Sequence, residues 1–491
     1  MFSNRVRIVV LSWLVLSVIV FFVRLGPVMA RYRSAEQKFA DLDFEAKQPA
    51  APVIVNDPNS PRPELTLSLD GRAIQKLDDG QMPWAHLVMP HRDGMYLAAN
   101  RKGLFADLKE NRVMFEFPSS RDEAGGLYGI AVSGLYPIIA TVGEHTVVQF
   151  WNASTGELLA TVEDEQPTIA AVPDLSEHAK RHSNKLRYQD TGARRIVASP
   201  RRSLFAIGKV DGTIELWGDL AYRDHPELLN EHENADTRSL FSTKRLGFIS
   251  RKKVHEGQVI DLAFSHGGNK LVSVSGHTVK GYGPMTAPDG TPAGYDTLQY
   301  EPDSKFDLVL SATKSLQEEW RQPLPSRPGQ LALSIAASHA VPGMLRTPFA
   351  VGMFHDGVLL GDLNKKELTG TIKFPKPGPS VMVQSLAFHR NESALMTLHT
   401  SYSGTKGDVT IETVLSLWQT SSRRRIATAR LPGQFMSAGW DIQGTRFGLL
   451  RYNSALSQRP PTSTGFWPWF NQPTSHFHFH VWDVRTVLGA E

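Results

Sequence analysis

The chain of 491 residues carries 53 basic against 49 acidic side chains, a net charge of +4, and is 41% hydrophobic. Such a near-balance leaves no electrostatic footprint for nucleic acid, while the apolar share is that of a chain with a sizeable core. There is no cysteine, which excludes disulfides, thiol catalysis, iron–sulfur clusters and cysteine-based zinc sites together. Thirty-nine Gly and 31 Pro favour many turns and short strands, and the length calls for several domains or one large repeat architecture.

The first element in chain order is apolar. After Arg5 and Arg7, residues 8–23 (IVVLSWLVLSVIVFFV) run without a charge as far as Arg24. A spanning helix needs about 20 apolar residues, and snorkelling of Arg7 and Arg24, or extension through 25–30, makes up the length. Residues 1–30 therefore read as one transmembrane anchor or, in the alternative, as a signal segment cleaved after Val28-Met29-Ala30. Arg24 and Pro27 make a poor cleavage region and favour the anchor. Positive charge lies on both sides, with Arg31, Arg33 and Lys38 opposing Arg5 and Arg7, so the charge rule leaves the orientation open. Because short N-terminal anchors most often carry their large domain outward, the expected location of the rest is extracytoplasmic, in a periplasm. Residues 31–63 follow as a short helix over 34–47 and a Pro-rich extended linker over 48–63.

From residue 64 to 491 one pattern repeats. Its first half is a polar or Gly-containing turn followed by apolar alternation: MPHRDGMYLAA (89–99), ASPRRSLFAIG (198–208), FSHGGNKLVSV (264–274), FHRNESALMTL (388–398) and WDIQGTRFGLL (440–450). That is the signature of a hairpin in a half-buried sheet. Its second half is a strand ending in tryptophan: VVQFW (147–151), TIELW (213–217), VLSLW (414–418) and FHVWD (479–483). Aligning Trp151, Trp217, Trp418 and Trp482 puts Phe150, Leu216, Leu417 and Val481 in one register, and Gln149, Glu215, Ser416 and His480 in the next. Seven units begin near Met82, Gly125, Arg194, Glu256, Gly329, Ser380 and Gly433. The fourth and fifth lack the tryptophan, and 279–283 and 359–363 stand in its strand's place.

The unit resembles the WD40 repeat: a hairpin, a third strand ending in Trp-Asp or its equivalent, then a turn such as Thr155-Gly156-Glu157 and a fourth strand. Only Trp482-Asp483 is a literal match, and the family's Gly-His dipeptide is missing. The resemblance implies an all-β fold, a single β-propeller of seven four-stranded blades, here preceded by one transmembrane helix. Since the chain ends soon after a third strand, residues 64–69 (ELTLSL) are expected to supply the last blade's outer strand and close the ring.

Candidate chemistry is sparse. No nucleophile elbow, P-loop, zinc-protease or dinucleotide motif is present, so a non-catalytic protein without cofactor or metal is expected. His476, His478 and His480 alternate on one strand about 7 Å apart, which makes convergence on one ion difficult and reads as a strand's polar face. Phe466, Trp467, Trp469 and Phe470 lie in a Pro/Ser-rich insertion at 454–475. Four large aromatics there fit contact with a partner or a membrane, or a loop that caps the core; both readings stand. Further insertions are expected at 164–191, 220–253 and 284–304, with basic runs such as Arg251-Lys252-Lys253 as solvated faces. The expected function is a membrane-anchored interaction scaffold, an accessory or assembly subunit for other membrane or envelope proteins, held to the membrane through residues 8–23. A ligand sensor using the central channel, or an enzyme with a multi-blade site, is the alternative.

Overall fold

Period-two runs bounded by Gly, Asn, Asp and Pro turns become short antiparallel strands in a computed structural model of the chain. The structure describes residues 65–69 and most of 85–484. Residues 163–192, 230–244 and 453–476, with shorter stretches between strands, lie outside the description. So do residues 1–64, and with them the expected anchor, the short helix and the linker. Among the described residues no helix is long and apolar enough to cross a membrane.

Strand β1 (Leu65–Leu69) comes first. Blade 1 follows as β2 (Ala85–His91), β3 (Gly94–Ala99), β4 (Lys102–Asp107) and β5 (Arg112–Pro118). Blade 2 is β6 (Leu127–Val132), β7 (Ile138–Gly143), β8 (Val148–Asn152) and β9 (Leu158–Val162). Blade 3 is β10 (Ala193–Ala198), β11 (Leu204–Lys209), β12 (Thr213–Asp219) and β13 (Leu246–Lys253), with a short helix α1 (Ala221–Asp224) before its last strand. Blade 4 is β14 (Val259–Phe264), β15 (Lys270–Ser275), β18 (Asp307–Ala312) and β19 (Gln317–Pro323), with a separate hairpin of β16 (Val279–Thr286) and β17 (Pro292–Tyr300) inserted between its middle strands. Blade 5 is β20 (Ala332–Ala337), β21 (Pro348–Met353), β22 (Gly357–Asp362) and β23 (Glu367–Ile372). Blade 6 is β24 (Ser380–Phe388), β25 (Ala394–Thr405), β26 (Asp408–Gln419) and β27 (Arg425–Pro432). Blade 7 is β28 (Ser437–Trp440), β29 (Arg446–Tyr452) and β30 (Phe477–Asp483), completed by β1.

These are seven four-stranded antiparallel sheets. Their innermost strands β2, β6, β10, β14, β20, β24 and β28 each touch the next, and β28 touches β2, so the sheets stand in a closed ring. This is a seven-bladed β-propeller. The ring closes as the sequence suggests: β1 pairs antiparallel with β30, Leu65 opposite Val481 and Leu69 opposite Phe477. Without β1 the edge of β30 would be left unpaired.

The core lies between blades. Phe150 of blade 2 packs with Phe205 and Trp217 of blade 3, and Leu204 and Leu216 of blade 3 with Leu262 and Val309 of blade 4. A middle strand is covered on both faces, so apolar residues dominate it, and β7, β11 and β22 are buried at every position, including Thr141, Lys209 and Asp362. The outer strands β9, β19 and β23 mix half-buried and exposed positions.

A β-bulge recurs where the third strand meets the fourth. The register shifts beside Ala106, Trp151, Trp217, Ser311, Gly361 and Trp418 in blades 1 to 6. The tryptophan is therefore one occupant of a position fixed by the backbone. In blade 5 that position is Gly361, and the Phe349 ring fills the space its missing side chain would take.

Two expectations need correction. In blade 4 residues 279–283 are not the third strand: they belong to β16 of the inserted hairpin, and β18 takes the place beside β15. The insertion expected at 220–253 ends in structure, since β13 is the fourth strand of blade 3, and Arg251 is anchored within the blade rather than free on its surface.

Candidate functional site

Two adjacent blades are fastened by buried polar networks. In blade 3, Lys209 at the end of β11 and Glu215 in β12 form an ion pair of 2.5 Å, with both side chains withdrawn from solvent. The same Glu215 oxygen accepts from Arg251 of β13 at 2.8 Å, and its other oxygen accepts from the Trp217 indole Nε1 at 3.1 Å. One carboxylate thus ties three strands and orients the tryptophan. Burying it is tolerable because both oxygens are satisfied by charged or N–H donors. The turn leading into β12 needs Gly212, whose φ is +85° and whose carbonyl accepts from the backbone N–H of Val254 and His255.

His255 fastens blade 4. Its Nδ1 lies 2.5 Å from Asp307 Oδ1 and its Nε2 2.7 Å from Ser273 Oγ. Arg321 of β19 pairs with the other Asp307 oxygen and with Glu318. Burial holds His255 well below the ordinary imidazole range, at about 3, and the Arg321 guanidinium adds to the effect. The ring is therefore neutral, with Nδ1–H donating to Asp307 and Nε2 accepting from the Ser273 hydroxyl. A serine, a histidine and an aspartate in that order are the parts of a nucleophilic triad. Here Ser273 is 0% exposed and His255 1%, so no substrate reaches the hydroxyl, and the trio joins strands instead. Blades 2 and 6 use a simpler joint: Trp151 Nε1 donates to Thr141 Oγ1 at 2.9 Å and Trp418 Nε1 to Thr397 Oγ1 at 3.0 Å. Thr141, Ser273 and Thr397 occupy the same register on their second strands. Beside the blade 6 joint, burial, with Arg425 assisting, also brings His399 to about 3.

The channel wall is built from the innermost strands. In blades 2 to 6 each of these strands carries a bulge, and the residue after it is Gly129, Arg195, Asp261, Ser334 or Ser385. Pairing to the neighbouring strand puts His86 and Ser437 at the same level in blades 1 and 7. Asp261 accepts from Arg195 Nε of blade 3 at 2.7 Å, from the Ile335 backbone N–H of blade 5 at 2.8 Å, and from the Leu262 N–H at 2.9 Å. One carboxylate thereby links three blades.

Antiparallel up-and-down connectivity sends every second-to-third-strand loop to one face of the ring. The connections there are short in blades 1, 2, 3 and 5 and longer in blades 4 and 7, and blade 6 has the longest middle strands. Blade 4 carries the β16–β17 hairpin, and in blade 6 β25 and β26 stay paired to Thr405 opposite Asp408. In blade 7 residues 453–476 join β29 to β30. Phe466, Trp467, Trp469, Phe470 and His476 lie in that segment, outside the described residues. The exposed large hydrophobics among the described residues are Val113, Met114 and Leu158, on the outer strands of blades 1 and 2. His480 is on β30 opposite Thr66 and 5.5 Å from the Trp482 ring. Among the described residues there is no group of three or more His, Cys, Asp or Glu suited to a metal ion.

Sequence reasoning missed His255, because it sought a Gly-His pair and Val254-His255 has none. It also missed Asp261 and Glu215, which look like ordinary strand polar positions. An acidic residue at a register held elsewhere by Gln149 and Ser416 was the one available signal for Glu215.

No family model matches the chain, and no curated protein matches it. Among solved structures it is similar to a chain in the crystal structure of a mitotic checkpoint complex. That likeness has a TM-score of 0.48 and 12% identity and covers 89% of this chain and 98% of that one.

Proposed function

We propose that the protein is a membrane-anchored interaction scaffold of the WD40-like kind, an accessory or assembly subunit that holds other membrane or envelope proteins, with its propeller on the periplasmic side. The observation that supports this most is the uneven face of the ring. Four blades join their middle strands by short connections, whereas blade 4 inserts a hairpin, blade 6 lengthens its strand pair and blade 7 has residues 453–476 between β29 and β30, on a frame fastened by buried networks. Rigid frames with variable loops suit recognition, and tethering through residues 8–23 raises the local concentration near membrane partners. Within the elaborated sector, Phe466, Trp467, Trp469 and Phe470 are the contact residues of this reading, as large aromatics carry much of the energy of protein interfaces.

The test is purification of the full-length protein in mild detergent, with mass spectrometry of what accompanies it. A stoichiometric membrane protein is expected, and Trp467→Ala with Trp469→Ala should reduce its recovery at least about tenfold, the loss of two hot-spot residues. Deleting 454–475 should leave the melting temperature unchanged while removing the partner. Recovery of the chain alone from membranes that contain it would overturn the scaffold reading, and collapse of the deletion variant would make the loop part of the core.

A further inference from the structure

Arg195 stands apart on the channel wall. Its Nε is committed to Asp261 Oδ1 at 2.7 Å, and both oxygens of that carboxylate are occupied, since Ile335 N–H donates to Oδ2 and Leu262 N–H to Oδ1. The Asp261 side chain is only 4% exposed, while that of Arg195 is 36% exposed. Asp261 therefore acts as a fixed post: it holds one edge of the guanidinium and leaves the Nη1/Nη2 edge without a hydrogen bond to the described residues. At the same register level the innermost strands carry His86 in blade 1, Gly129 in blade 2, Ser334 in blade 5, Ser385 in blade 6 and Ser437 in blade 7. A planar fork of donors, pre-oriented by a buried carboxylate and partly open to solvent, matches the two oxygens of one carboxylate or phosphate.

We propose that the central channel binds a small anion, a carboxylate- or phosphate-bearing molecule, through the Nη1/Nη2 edge of Arg195, with Asp261 as the positioning residue. This goes beyond the scaffold reading and does not depend on it. Pairing with Asp261 offsets much of the cation's charge, so recognition rests on fork geometry more than on net attraction, which is why lysine is a poor substitute.

The experiment uses the full-length protein in detergent, titrated calorimetrically with inorganic phosphate in one arm and malonate in the other, at constant ionic strength set by chloride. The tighter arm identifies the class of anion. Saturable one-to-one binding is expected in at least one arm. Arg195→Gln should abolish it and Arg195→Lys, which keeps the charge and a bond to Asp261, should weaken it about tenfold or more. Should the glutamine variant fail to fold, the lysine variant and the wild type still decide. Absence of saturable binding to the wild type in both arms overturns the proposal, as does equal affinity in wild type and Arg195→Lys. Neither result bears on partner capture by the loop of blade 7.

Discussion

In blade 3 the third strand is held by Trp217 and a buried carboxylate, Glu215, that gathers Lys209 and Arg251. In blade 4 the register position of that tryptophan is Ser311, that of the carboxylate is Val309, and the fastening comes from His255, Ser273 and Asp307. Strand order, antiparallel pairing and the bulge before the fourth strand are the same in both. The backbone plan thus survives exchange of the side chains that secure it. In blades 2, 3, 4 and 6 a buried polar link joins neighbouring strands, and ions, imidazole or indole can all provide one.

The comparison breaks most sharply at Glu215. Its removal as Glu215→Ala takes a shared carboxylate from two cations, Lys209 in the core and Arg251 at its edge, and should cost about 3–5 kcal/mol in urea unfolding. Combining Lys209→Met with Glu215→Leu should recover part of that, because the buried cation goes with its partner, while Arg251 and the Trp217 indole still lose this acceptor. A loss below about 1 kcal/mol for the single variant would mean that the network does not hold blade 3.

In blade 4 the matching change is Ser273→Ala, which leaves His255 Nε2 buried without its donor. A neutral link of this kind is worth about 1–3 kcal/mol, less than the ionic one next door. Equal losses in the two blades would erase the distinction drawn between them.

Acid should separate the blades further. His255 of blade 4 and His399 of blade 6 are held at about 3 in the folded protein, against 6.5 for a free imidazole, and the one histidine described in blade 3, His225, is exposed. Between those values the unfolded chain binds more protons than the folded one. The stability these groups preserve is therefore full above about pH 6.5 and is lost progressively as pH falls toward 3, with a slope near 1.4 kcal/mol per pH unit for each histidine. Urea midpoints from pH 7.5 downward should show it, and His255→Gln should flatten the slope by about half of the two-histidine contribution. An unchanged slope in that variant would show that His255 takes up no proton on unfolding.

The sequence alone determined the repeat. Alternation and turn composition are local properties, so seven units were legible from 64 onward, each starting within about four residues of an innermost strand. The closing strand was legible by subtraction, because a final unit that runs out after its third strand needs a partner for Val481 and Phe479 from elsewhere. The aromatic segment Phe466–Phe470 is read from composition alone and lies outside the described residues. Tertiary structure decided the rest. Residues 279–283 alternate well enough to pass for a third strand, and only pairing with β15 selects β18 instead. His255 gains meaning from Ser273 and Asp307, 18 and 52 residues away, and Asp261 from Arg195 and Ile335, at 66 and 74. A hydrogen bond between blades depends on where the ring brings distant strands together, and periodicity along one strand carries no record of its neighbour.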